Sequence, residues 1–90
     1  MRVRVELFAT LRRFGKSFEV ECTGDLKDAF LAVAKELRDK GDEFLKEIFD
    51  EDGNIRKDRI IMIDGRNIKD ELIELREGSR ITVFPPIAGG

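Results

Sequence analysis

Histidine, tryptophan and tyrosine are absent from these 90 residues, and cysteine occurs once. Without histidine there is no Ser-His-Asp or Cys-His arrangement and no histidine-based metal site. One cysteine cannot close an internal disulfide, which fits a reducing cytoplasm. No apolar run approaches the roughly 20 residues needed to span a bilayer, and the N-terminus enters charged, alternating sequence without a signal-peptide core. Neither sign of charge prevails: 17 basic and 19 acidic side chains leave a net charge of −2. They form no block, which argues against a nucleic-acid or anionic-membrane partner. A Walker A lysine motif and a GxGxxG fingerprint are also missing.

What remains is 41% apolar and 40% charged, the composition of one globular domain with a strongly ionised surface. From Met1 to Phe8, Arg2, Arg4 and Glu6 alternate with Val3, Val5 and Leu7, which predicts a half-buried strand. Gly15 and Lys16 mark a turn into a second strand, with Phe18, Val20 and Cys22 inward. The period then changes. Leu26, Ala29, Phe30, Val33 and Leu37 fall on one face of a helix, with Thr23 or Asp25 as its N-cap and Gly41 as its C-cap. Phe44, Leu45, Ile48 and Phe49 predict a second, brief helix. A strand at Ile60–Ile63, a tight turn at Asp64-Gly65, a strand at 66–68 and a last strand at Arg80–Phe84 complete the order. The class is α+β, and one sheet face is left for water or a partner.

Few side chains offer chemistry. Asp50, Asp52 and Asn54 faintly resemble the start of an EF-hand loop. Ile55 and Ile61 stand where its glycine and bidentate glutamate are required, so no metal is expected. Cys22 lies in phase with Phe18 and Val20 and reads as a small buried hydrophobe. The terminal sequence Pro85-Pro86-Ile87-Ala88-Gly89-Gly90 is the distinctive feature. A strand stopped by two prolines and followed by two residues without Cβ atoms suits threading into a narrow channel. Five residues from Pro86 onward reach at most about 17 Å beyond the fold. The Gly90 carboxylate, with an ordinary pKa of roughly 3.3–3.7, is a poor electrophile until converted to an acyl-adenylate.

The ending Val83-Phe84-Pro85-Pro86-Ile87-Ala88-Gly89-Gly90 resembles that of the MoaD family, the small subunit of molybdopterin synthase, and of the related archaeal small modifiers. The segments Val5–Arg12, Phe49–Ile55 and Ile61–Gly65 are similar as well, so the likeness runs through the whole chain. It implies a ubiquitin-like β-grasp fold over residues 1–90: a mixed sheet of four to five strands with one main helix on one face, and residues 85–90 as a flexible tail. It also implies that an E1-like adenylyltransferase uses ATP to activate Gly90, that a sulfurtransferase supplies sulfur, and that the Gly90 thiocarboxylate enters the molybdopterin synthase large subunit. No cofactor is expected on the chain, which by itself is not expected to turn over substrate. Asp64-Gly65 replaces a more usual Asn-Gly, and Gly78-Ser79-Arg80 replaces a more acidic segment. The stretch Gly41 to Arg59 lengthens the chain beyond the thiamin-pathway carriers and argues against that branch.

In a β-grasp sheet the first and last strands are neighbours. If Val5, Leu7, Ile81 and Val83 face the helix, Phe8 and Phe84 point to the open face, joined by part of the Ile60–Ile63 run, including Met62. Such a patch predicts a docking surface, with Arg12, Arg13 and Lys16 in the adjoining turn available to an acidic partner. Two further functions fit the chain: a modifier joined through Gly90 to target-protein lysines, and an interaction module whose tail is unused.

Overall fold

The alternation at the N-terminus forms strand β1 (Arg2–Leu7), which buries Val3, Val5 and Leu7 and leaves Arg2 and Arg4 exposed. It pairs antiparallel with β2 (Ser17–Glu21), Val3 opposite Val20 and Val5 opposite Phe18. The computed structural model describes residues 1–86; Ile87, Ala88, Gly89 and Gly90 lie outside the described residues. Between the strands the chain does more than turn at Gly15-Lys16. Residues Ala9–Phe14 wind into a 3-10 helix that sinks Leu11 and Phe14 into the core.

Helix α1 (Leu26–Leu37) begins as its apolar stripe predicts. Asp25, in extended conformation, caps it by accepting from the Lys27 N–H at 3.1 Å. Ala29, Phe30, Val33 and Ala34 are its buried face. The expected C-cap at Gly41 is corrected by the structure. Arg38, with φ 53°, closes α1, and Gly41 is a buried helical residue that opens α2 (Gly41–Ile48). Glycine is required at 41 because the backbone of α1 at Ala34 leaves no room for a side chain there. At the far end of α2, the guanidinium Nε atoms of Arg56 and Arg59 donate to the Lys46 and Glu47 carbonyls at 2.7 and 2.6 Å. These bonds satisfy acceptors that a helix end leaves open.

Strands β3 (Ile60–Ile63), β4 (Arg66–Asn67) and β5 (Arg80–Phe84) complete a five-stranded sheet in the order β2-β1-β5-β3-β4. β5 lies inside the sheet, parallel to β1 and antiparallel to β3. The two helices cover one face, where Ile61, Ile63, Ile81 and Val83 meet Phe30, Phe44 and Ile48 in a single core. The fold is thus the expected α+β β-grasp arrangement. The β3–β4 turn has Asp64 and Gly65 at φ 52° and 83°, the paired left-handed conformation of a two-residue hairpin.

Candidate functional site

The uncovered sheet face divides into two halves of different character. Its charged half carries Arg2, Arg4, Glu19 and Glu21 on β1 and β2. Arg4 meets Glu19 at 3.0 Å, and Arg2 lies 3.6 Å from Glu19 and 3.4 Å from Glu21. The hydrogen bond from Arg4, then the charges of Arg4 and Arg2, hold the Glu19 carboxyl below its ordinary value. Glu6 and Arg80 continue the pattern across β1 and β5 at 3.7 Å. Each charge here already has a protein partner.

The other half surrounds the point where the chain leaves the sheet. There β5 is held on both sides: the Phe8 N–H donates to the Val83 carbonyl at 3.1 Å, and Phe84 stands opposite Ile60. Phe8 and Phe84 stack with centroids 4.6 Å apart and planes 16° from parallel. By register Ile60 and Met62 share this face with Phe84 and Thr82, and all are half-buried. Aromatic and aliphatic side chains therefore frame the base of the tail, with Pro85 half-buried and Pro86 exposed beyond them.

Phe8 stacks on Phe84, and Met62 lies on the same sheet face, opposite Thr82 on β5. The residues of greatest chemical interest, Gly90, Gly89, Ala88 and Ile87, lie outside the described residues. The three basic residues of the first turn separate. Arg13 turns away, 3.1 Å from Glu43 and 3.6 Å from Glu47, with its guanidinium over Phe14. Arg12 lies over the Phe8 ring at 5.1 Å and donates from Nε to the Leu7 carbonyl at 3.2 Å. Lys16 lines the same shallow groove, with Glu6, Leu7, Phe8, Arg12 and Ser17. The sequence does not separate these three cations, because a 3-10 helix of six residues leaves too short a period to reveal which way Arg12 and Arg13 point.

Two other candidates resolve as structural. Cys22 is buried beside β1, its N–H donating to the Met1 carbonyl at 2.8 Å. One Asp50 carboxylate oxygen accepts from the backbone N–H groups of Asp52 and Asn54, at 2.9 and 3.0 Å, and so shapes the acidic turn. Among the described residues, no group of three or more cysteine or acidic side chains is placed to hold a metal ion. No described helix is long and apolar enough to cross a membrane.

The family model described as the ThiS family matches residues 5–90. No curated protein sequence matches the chain. Among solved structures, the putative molybdopterin converting factor, subunit 1, from Pyrococcus furiosus is 30% identical, covers 97% of this chain and 99% of its own, and gives a TM-score of 0.63. The small archaeal modifier protein 1 from Methanosarcina acetivorans is 26% identical over 99% of this chain and 96% of its own, with a TM-score of 0.73. A chain of the protein-protein complex of subunits 1 and 2 of molybdopterin-converting factor from Helicobacter pylori is similar at 26% identity, with both chains fully covered and a TM-score of 0.60.

Proposed function

Because this chain belongs to the ThiS family, whose model spans it from residue 5 to residue 90, we propose that its working group is the Gly90 carboxylate, which carries sulfur. An E1-like adenylyltransferase binds ATP, and a Gly90 oxygen attacks the α-phosphate, releasing pyrophosphate and leaving an acyl-adenylate. The terminal sulfur of a sulfurtransferase persulfide then displaces AMP to give an acyl disulfide, and a second thiol attacks the inner sulfur, the one on the sulfurtransferase, leaving a disulfide and releasing the Gly90 thiocarboxylate. The acceptor in this proposal is the molybdopterin (or tungstopterin) precursor, reached in a cytoplasmic complex with a large subunit. The chain provides the carried group and the docking surface; its partners provide nucleotide and catalysis. It is a ubiquitin-like carrier or modifier of the ThiS and MoaD type. The choice between thiamin and molybdopterin branches is finer than the family, and the length of the segment from Gly41 to Arg59 does not by itself make it.

The observation that carries the proposal is the anchoring of the tail. β5 is paired with β1 as far as Val83, whose carbonyl accepts from the Phe8 N–H, and with β3 as far as Phe84, the residue before Pro85-Pro86. The terminus therefore leaves from a fixed point, beside an aromatic patch on which a partner can seat. Two relatives named for molybdopterin converting factor, at 30% and 26% identity, support the sulfur branch. A second function, conjugation through Gly90 to target lysines, is supported by the likeness to a small archaeal modifier at 26% identity.

The intact mass of the chain purified from its own host, with the terminus left untreated, separates them. Exchange of one oxygen for sulfur localised to Gly90 is the expected result. Adducts joining Gly90 to lysine, on a chain without the sulfur exchange, would favour the modifier. If neither species forms, the tail has no such use.

A further inference from the structure

We infer that Arg12 is a docking residue for a carboxylate: the adenylating partner seats an aspartate or glutamate against its guanidinium, with Lys16 alongside. This rests on the proposal that such a partner binds the face around the tail, and it specifies the chemistry of the partner surface there.

Arg12 is held in place before any partner arrives. Its guanidinium carbon is 5.1 Å from the Phe8 ring centroid, Phe8 is stacked on Phe84 at 4.6 Å, and its Nε is committed to the Leu7 carbonyl at 3.2 Å. The remaining N–H groups belong to the two terminal nitrogens, whose fork geometry matches a carboxylate bidentately. A side chain already fixed by a hydrogen bond and an aromatic face loses little further freedom on binding.

Charge decides what it meets. Among the described residues no carboxylate pairs with Arg12 or Lys16. Glu6, which lines the same groove, is 3.7 Å from Arg80, and Glu43 and Glu47 are taken by Arg13. The charged half of the sheet face is self-compensated, whereas this corner of the apolar half keeps a positive excess. A partner covering Phe8 and Phe84 buries that excess beside them, and an unpaired buried charge is costly. Phosphate is the poorer match. The adenylate forms on Gly90, at the end of a tail reaching up to about 17 Å past the fold, while Arg12 stands at its root. What faces Arg12 is therefore the partner's protein surface.

The test is pyrophosphate exchange by the host's E1-like adenylating enzyme with the full chain as varied substrate, at about 0.05 M and about 0.5 M salt. Arg12→Gln is expected to raise KM for the chain roughly tenfold at low salt with kcat unchanged, and to flatten the salt dependence. Arg12→Lys keeps the charge without the fork and recovers only part of the loss. Lys16→Gln shifts KM less, in the same direction, and Lys35→Gln, on exposed helix surface, leaves it unaltered. An Arg12→Gln chain with wild-type KM overturns the inference. So does a raised KM equal at both salt levels, which would mean lost packing, or a lowered KM, which would mean the guanidinium holds the chain's own terminus. A Gly90-deleted chain adenylated as well as the full one removes the proposed function instead, whatever Arg12 does. A chain not adenylated at all removes both.

Discussion

A Cβ placed on Gly41 would sit 2.4 Å from the carbonyl oxygen of Ala34, so helices α1 and α2 touch backbone to backbone at this point. Gly41 is buried, and its φ of −60° is ordinary for a helix, so space rather than backbone freedom demands glycine. Gly41→Ala is expected to force the helices apart and cost about 1–3 kcal/mol, as overpacking does. That lowers Tm by roughly 4–8 °C for each kcal/mol in a domain of this size. Calorimetry reads the loss, and adenylation kinetics well below Tm are expected to stay at wild-type values, because the contact is on the helical side of the sheet.

Phe8→Asp addresses the open face. The substitution removes a stacked aromatic pair worth about 0.5–1.5 kcal/mol. It leaves the Phe8 backbone bond to Val83 available. The chain is expected to stay folded by circular dichroism, with Tm lowered by a few degrees, while affinity for the adenylating partner falls roughly tenfold or more by titration calorimetry. Unchanged affinity would remove this face from the docking surface.

Asp64 ties the β3–β4 turn to β5. Its two carboxylate oxygens accept from the Arg80 N–H at 2.9 Å and the Ser79 hydroxyl at 3.0 Å, and Ser79 is buried. Asp64→Ala leaves both donors short of a partner and places alanine at φ 52°. A loss of about 1–3 kcal/mol in denaturant unfolding is expected. Asp64→Asn, which suits the turn and keeps one acceptor oxygen, is expected to lose less.

Acid is expected to weaken the charged half of the sheet face. The Glu19 carboxyl, hydrogen-bonded to Arg4 and facing Arg2, titrates below its ordinary 4.5 in the folded chain. The unfolded chain therefore binds this proton more readily, and the stabilisation is complete above that ordinary value and fades as pH falls through the lowered one. Thermal melts between about pH 6 and pH 3 are expected to show Glu19→Gln losing less Tm on acidification than wild type, with salt diminishing the difference because the pair is exposed. Identical slopes would show that the pair does not contribute.

Local patterns made the strands and the two α-helices legible, though not the 3-10 helix of Ala9–Phe14. The alternation of β1, the stripe on α1 and the Asp64-Gly65 turn are local signals, and each is found where its pattern lies. The neighbouring of Phe8 and Phe84 had a different source. It came from the resemblance to β-grasp proteins, since nothing near either residue records that β1 and β5 pair in parallel. At Gly41 the sequence is ambiguous, because a glycine after an apolar stripe looks the same whether it ends a helix or makes room for one.

The residues themselves narrowed the chemistry open to this protein: no histidine, one cysteine in phase with an apolar strand face, and a Pro85-Pro86-Ile87-Ala88-Gly89-Gly90 segment that suits the proposed carrier role. Strand phase, also written in the residues, set which side chains oppose the helices. Only the tertiary structure decided that Arg12 lies on the Phe8–Phe84 stack while Arg13 is drawn to Glu43 and Glu47. It likewise decided that one half of the open face neutralises itself and the other does not. These outcomes depend on pairings between segments far apart in the chain, whose energies exist only once the backbone has brought them within a few ångströms, so no local pattern carries them.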